Sequence, residues 1–160
     1  MKEMTEKDAL FRLTALCSQG EHCEWEMREK MRRWAIPDDA QARIMQQLIE
    51  EKYIDETRYC QFFIRDKIRF NKWGRRKVEQ ALMGKRIPRT TYLPVLDEVP
   101  DEDYLAVLRP LLKAKMRQFA GLTDYECTGR LIRFAAGRGF TFDIIRQCID
   151  TGDYSEEEDG

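Results

Sequence analysis

The sequence is poor in histidine, the side chain on which general-base catalysis and metal ligation most often rest. Its 160 residues include a single histidine, His22. A Ser-His or Cys-His pair would have to rest on that residue beside Cys17 or Cys23, with no evident third group to orient it. A structural zinc wants four soft ligands at set spacings, and Cys17, His22 and Cys23 come without an evident fourth. No Gly-rich phosphate loop of the Walker type is present, and Gly137-Arg138-Gly139 lacks the strand and helix context such a loop needs. The expectation is therefore no catalytic residue, no metal, no cofactor, and no enzymatic activity. Five cysteines (Cys17, Cys23, Cys60, Cys127, Cys148) are an odd number, mostly set in apolar helical patterns, and read as reduced and structural. No apolar run approaches the roughly 18 to 20 residues that cross a bilayer. The start, Met1 to Glu6, carries no apolar segment for secretion. Cytoplasm is the compartment expected, with no membrane partner.

What the chain has in quantity is charge, at 36% of residues, together with 11% aromatics, enough for a core under a densely charged surface. The net charge of -1 hides an uneven distribution. Between Arg58 and Arg89 lie eleven Lys or Arg against only Asp66 and Glu79, a local net of +9, which leaves -10 for the rest. Part of that excess is the tail, where Asp153, Glu156, Glu157, Glu158 and Asp159 crowd together. Residues 152–160 repel one another, have nothing to bury, and are predicted to be disordered.

Apolar spacing predicts helices throughout. Thr5 is placed to cap a helix bearing Leu10, Leu13, Leu16 and Cys17, with Asp8 three residues on. A second helix, from about Glu24 to Trp34, puts Met27, Met31 and Trp34 on one stripe. Ile36-Pro37-Asp38 makes a corner at which Asp38 can cap a third helix with Ile44, Met45 and Leu48 inward. The cycle then repeats. Asp55 caps a helix with Tyr59, Phe62, Phe63 and Ile68, Asn71 to Gly74 interrupts it, Val78 and Leu82 line the next, and Ile87-Pro88 turns the corner. Pro94 predicts that the helix closing this cycle begins late or is short. The third cycle runs from Asp101 through Leu105, Leu108 and Leu112, breaks at Gly121 to Thr123, and resumes where Asp124 can cap a helix with Leu131 and Ala135. Carboxylate pairs such as Asp38-Asp39 and Asp55-Glu56 fall at helix starts, where the macrodipole accounts for them.

The cycles share a register. Met27, Met31 and Ile36 shifted by 51 give Val78, Leu82 and Ile87, and a further 53 gives Leu131, Ala135 and Phe140. An internal repeat of about fifty residues, each unit three short helices, implies a stack of units too small to bury a core alone. The fold expected is all-α, with three tandem three-helix repeats stacked into an elongated, curved body. Their bounds are expected at 1–52, 53–99 (the basic one) and 100–151, with the acidic tail at 152–160.

Tyr53-Ile54-Asp55-Glu56-Thr57-Arg58-Tyr59-Cys60-Gln61-Phe62-Phe63-Ile64-Arg65 resembles the signature of the RecX family, an aromatic and an aliphatic residue before an acidic pair and an aromatic-rich helix ending in basic residues. Trp73-Gly74-Arg75-Arg76-Lys77-Val78-Glu79-Gln80-Ala81-Leu82 is similar to the stretch that follows it in that family. The likeness spans roughly residues 8 to 149 and is most specific between Tyr53 and Ile87. The segment around Lys113 to Gly121 departs from the family pattern, as does the acidic tail. The resemblance implies a regulator that binds the RecA filament on single-stranded DNA, inhibits its recombinase and ATPase activity, and so modulates DNA repair and the SOS response. A monomer with weak direct DNA contact is expected.

The basic segment supplies the candidate site. Arg65, Lys67, Arg69 and Lys72 close one predicted helix while Arg75, Arg76 and Lys77 open the next, concentrating seven cations beside Phe70 and Trp73. Such a corner attracts phosphates or an acidic protein face over about 8 to 10 Å in physiological salt. Arginines can clamp either anion with paired hydrogen bonds, and Trp73, if exposed, can stack on a base or anchor an interface. Otherwise Arg65, Lys67 and Arg69 form a solvated helix face and Trp73 packs under the corner. The first-turn trio Arg75, Arg76 and Lys77 is expected to be exposed. A stand-alone helical nucleic-acid-binding module is the alternative function, and the tail could fold back on the corner to compete with nucleic acid.

Overall fold

The computed structural model describes residues 3–150, and nine helices with no strand are found among them. The first trio is α1 (Glu6–Gln19), α2 (Glu24–Arg33) and α3 (Asp38–Glu50). The second is α4 (Glu56–Arg69), α5 (Arg75–Gly84) and α6 (Arg89–Asp97). The third is α7 (Asp101–Gln118), α8 (Asp124–Gly137) and α9 (Phe142–Asp150). The acidic tail lies outside the described residues.

Local chemistry sets most of the boundaries. Thr5 Oγ1 accepts the Asp8 N–H at 3.0 Å while the Asp8 carboxylate accepts the Thr5 N–H, a reciprocal cap on α1. The Asp55 carboxylate accepts the Arg58 N–H at 3.0 Å and caps α4. Two expected caps move by one residue. Pro37, already extended, holds the cap position of α3, and Thr123, accepting the Glu126 N–H at 3.1 Å, caps α8. Asp38 and Asp124 sit one step inside, where their charge still favours the helix N-terminus. Pro94 does not delay α6, which starts at Arg89 and carries Pro94 inside it, but the helix is short as expected, at nine residues. A proline there forfeits one bond, to the carbonyl of Thr90, in a helix whose first turn has already formed.

The repeat register holds in three dimensions. Met27, Val78, Leu131, Met31, Leu82, Ala135, Ile36, Ile87 and Phe140 are all buried, none more than 5% exposed. The corner after the middle helix recurs as well. Ala35, Arg86 and Gly139 have φ of 58°, 58° and 92°. Behind each, the next amide reaches back five residues: Ile36 to the Met31 carbonyl at 3.0 Å, Ile87 to Leu82 at 3.3 Å, Phe140 to Ala135 at 3.2 Å. The left-handed residue itself donates to Arg32, Met83 or Ala136. This is a Schellman cap made three times, satisfying carbonyls that the helix end would leave open.

Two compact units are present, one of residues through Phe63 with Leu82–Val95, the other of Ile64–Ala81 with residues from Leu96 onward. The division cuts α4, α5 and α6, so part of the middle trio groups with each outer one. In the first unit, Leu13, Met27, Met31, Ile44, Met45, Leu48 and their neighbours form one core; each such side chain contributes about 1.5 to 3 kcal/mol when fully buried. Gln41, buried among them, donates to the Ile36 carbonyl at 2.9 Å and so is not left unsatisfied. In the second, α7, α8 and α9 pack on one another around Leu105, Leu108, Leu112, Leu131, Ile144 and Ile145.

Within each unit the start of a middle helix meets the corner of the following repeat. In the first, Lys85 Nζ lies 2.9 Å from the Glu26 carboxylate and 5.4 Å from the Trp25 ring centre. In the second, the Gly74 N–H donates to the Arg138 carbonyl and the Arg76 N–H to the Gly139 carbonyl, both at 2.9 Å. By the repeat register Arg138 is the counterpart of Lys85. The same seam is thus closed once by side chains and once by backbone.

Candidate functional site

The basic corner joins α4 to α5, and its two halves differ energetically. Lys67 and Arg69 end α4, where cations complement the negative end of the helix dipole. Arg75, Arg76 and Lys77 open α5, whose first turn holds no acid. Seven of the nine helices carry Asp or Glu there. Cations at a helix N-terminus lose about 0.3 to 1 kcal/mol each rather than gaining it. Helix stability therefore does not account for the α5 half of this cluster.

The eight expected site residues fall into two groups. Arg65, Arg69, Lys72 and Arg76 are exposed and have no ion partner among the described residues. Lys72 adopts the left-handed conformation, φ 59°, that turns the chain from α4 toward α5. Lys67, Trp73, Arg75 and Lys77 are half-buried. Trp73 is flanked by two ammonium groups, Lys67 Nζ at 5.6 Å and Lys77 Nζ at 5.0 Å from its ring centre. Half-buried and with two cations over it, the ring has less surface free to stack on a ligand than an exposed one would. Arg75 is paired with the Asp97 carboxylate at the end of α6. The stem of Lys77 packs under Gly139. Of the first-turn trio only Arg76 is exposed as expected, because Arg75 is drawn to Asp97 at the end of α6 and Lys77 packs against the α8–α9 corner. The contact with the α8–α9 corner uses the Gly74 and Arg76 amides, so the N-terminus of α5 is not an open anion cradle.

Two residues join the site that the sequence did not single out. Phe70, noted only as a neighbour of the cations, is 71% exposed and stands directly between Arg69 and the turn. Arg138 reaches the corner from the third repeat, its guanidinium donating to the Asn71 carbonyl at 3.4 Å while lying over the Phe134 ring. The repeat register was the available signal for Arg138, since it aligns with Lys85, which closes the preceding seam.

The cysteine and histidine chemistry stays apart from this corner. Burial pushes the Cys23 thiol up to about 12 and the Cys60 thiol up to about 11, far from thiolate character. His22 Nδ1 lies 3.5 Å from Glu26, and no group of three or more His, Cys, Asp or Glu among the described residues is arranged to hold a metal. No helix among the described residues is long and apolar enough to cross a membrane.

Comparison with known proteins places this architecture. Residues 55–91 match the family domain described as "RecX, second three-helix domain", and residues 101–149 match "RecX, third three-helix domain", together more than half of the chain. The chain is 28% identical over 139 residues to the regulatory protein RecX of Acinetobacter baylyi, spanning 84% of this chain and 82% of that protein. It is 25% identical to RecX of Clostridium perfringens over 79% of this chain, and 20% identical to RecX of Oceanobacillus iheyensis over 85%. Those alignments span 59% and 50% of the two relatives, so the chain covers little more than half their length. Two solved structures share the fold: RecX from Lactobacillus salivarius, TM-score 0.84 over 91% of this chain and 95% of that one, and another regulatory protein RecX, TM-score 0.82 over 91% and 73%. Each is 17% identical in sequence.

Proposed function

Since the chain belongs to the RecX family of regulatory proteins, we propose that it binds the RecA filament on single-stranded DNA and inhibits its recombinase and ATPase activity. Acting as a cytoplasmic monomer without chemistry of its own, it would in that way modulate DNA repair and the SOS response. The α4–α5 corner is the surface assigned to the contact. The observation that carries this is the cluster of four exposed cations, Arg65, Arg69, Lys72 and Arg76, unpaired among the described residues, with Arg76 set against the dipole of α5. A filament offers both anions the corner can take, phosphates and acidic side chains, and arginine clamps either with two parallel hydrogen bonds.

The test is RecA's ATP hydrolysis on single-stranded DNA. Adding this protein at a low ratio to RecA lowers the rate, whereas an unchanged rate at equimolar protein overturns the proposal. Binding naked DNA tightly while leaving RecA untouched would instead mark a stand-alone nucleic-acid-binding module.

A further inference from the structure

Phe70 is a large apolar side chain placed where folding gives it nothing to do. It is 71% exposed, beyond the last turn of α4, while the buried face of that helix is completed by Ile64 and Ile68. Its backbone is nonetheless firmly held. The Phe70 N–H donates to the Asp66 carbonyl at 2.9 Å, the Asn71 carbonyl accepts the Arg138 guanidinium at 3.4 Å, and the Trp73 N–H closes the turn onto the Lys67 carbonyl at 3.2 Å. The ring is displayed from a fixed turn rather than from a loose loop, so little backbone entropy remains to be lost when it is covered.

Its surroundings indicate what covers it. Arg69 precedes it and Lys72 follows it two residues on, with Arg65 one turn back on α4 and Arg76 at the start of α5; all four are exposed without an ion partner among the described residues. The corner's other large ring, Trp73, is already flanked by Lys67 and Lys77. A bare ring bordered by unneutralised cations matches a ligand that carries flat apolar faces and anionic groups at short intervals. Single-stranded nucleic acid is such a ligand, because its bases are free to leave the stack and its phosphates follow at every step. A duplex keeps its base faces stacked and out of reach, leaving phosphates and base edges.

We propose that Phe70, and not Trp73, is a base-stacking residue for single-stranded DNA, with the phosphates on either side taken by Arg69, Lys72 and Arg76. The proposal rests on the reading of the corner as the surface that faces the filament and its DNA. Phenylalanine has no hydrogen-bonding group, so the contact is tolerant of base identity.

Fluorescence anisotropy of a labelled oligothymidylate, and of a duplex of the same length, tests this on the full chain at several salt concentrations. Phe70→Ala weakens single-strand binding about five-fold or more, leaves the duplex unchanged and leaves the salt slope unchanged, because one stacked base and no charge has been lost. Phe70→Trp restores single-strand binding. The triple variant Arg69→Ala, Lys72→Ala, Arg76→Ala weakens both ligands and flattens the single-strand salt slope by about 0.7 per lost phosphate contact. If the triple variant weakens binding and Phe70→Ala does not, the stacking proposal fails while the corner stands. If neither changes binding, or wild-type protein binds the oligothymidylate no better than about 100 μM, both fail. Should Phe70→Ala relieve RecA inhibition with oligothymidylate binding intact, the ring docks on protein and the proposal is overturned.

Discussion

Gly139 lies so close to Lys77 that a methyl group on it would stand 2.4 Å from the Lys77 Cβ and 2.5 Å from the Lys77 amide nitrogen. Gly74 stands in the same relation to Phe140, whose backbone nitrogen would be 2.2 Å from an added Cβ. These two glycines let the start of α5 and the α8–α9 corner share backbone hydrogen bonds, and Gly139 also needs its φ of 92°.

Gly74→Ala and Gly139→Ala are therefore both expected to cost about 3 kcal/mol or more, since backbone cannot yield as a side-chain end would. Gly84→Ala, at a helical position with nothing within 4 Å, should be neutral or stabilising by up to about 1 kcal/mol. Urea denaturation of the three variants checks the contrast. Equal effects would mean that the seam is not closed by backbone.

The threefold corner predicts where stability can be gained. Ala35 and Arg86 hold the left-handed position that glycine occupies in the third repeat. Ala35→Gly and Arg86→Gly should each raise the melting temperature, by an amount corresponding to up to about 1 kcal/mol, because a Cβ is disfavoured there. A drop in either variant would show that the corners are not equivalent.

Lys85 closes the first unit's seam, and its loss should be pH-dependent. Burial alone would raise the Glu26 carboxyl, but the Lys85 ammonium and the Cys23 N–H hold it below its ordinary 4.5. A depressed folded value gives stability that is complete above 4.5 and is lost as pH falls through the lower folded value. Lys85→Met removes that ammonium together with its contact to Trp25, at a cost of about 1 to 2 kcal/mol near neutral pH. The deficit should shrink in acid. Glu56 works in the opposite sense, raised by burial despite the Glu24 N–H it accepts, so acid relieves a cost there. Measuring the wild-type and Lys85→Met midpoints across the acid range checks the sign, and a deficit that widened in acid would refute it.

Much of this fold was legible because it depends on local chemistry and periodicity. The offset of about fifty residues makes Met27, Val78 and Leu131 equivalent, and Thr5 and Asp55 mark their helices by side-chain type. Asp38 and Asp124 each follow a residue, Pro37 or Thr123, that can also hold the cap position, and only backbone conformation chooses between them. The site was legible as a concentration of charge but not as a surface. Which of Arg75, Arg76 and Lys77 faces outward depends on Asp97 and Gly139, residues 20 to 60 positions away whose approach leaves no periodic trace. The sequence offers Trp73 as the stacking ring of the corner, yet the ring the corner leaves exposed is Phe70.

The central claim, that the α4–α5 corner is the surface presented to the filament, is tested most directly by comparing two charge-matched variants in the RecA ATPase assay on single-stranded DNA. One replaces Arg69, Lys72 and Arg76 by Ala; the other replaces Lys7, Arg33 and Lys52, cations exposed outside the corner. Both should keep wild-type helicity and melting temperature, as exposed charges contribute little to folding. The corner variant should lose inhibition by about ten-fold or more in the concentration required, the sum of contacts worth about 0.5 kcal/mol or more each, while the second should inhibit as wild type does. Equal inhibition by both variants would contradict the account.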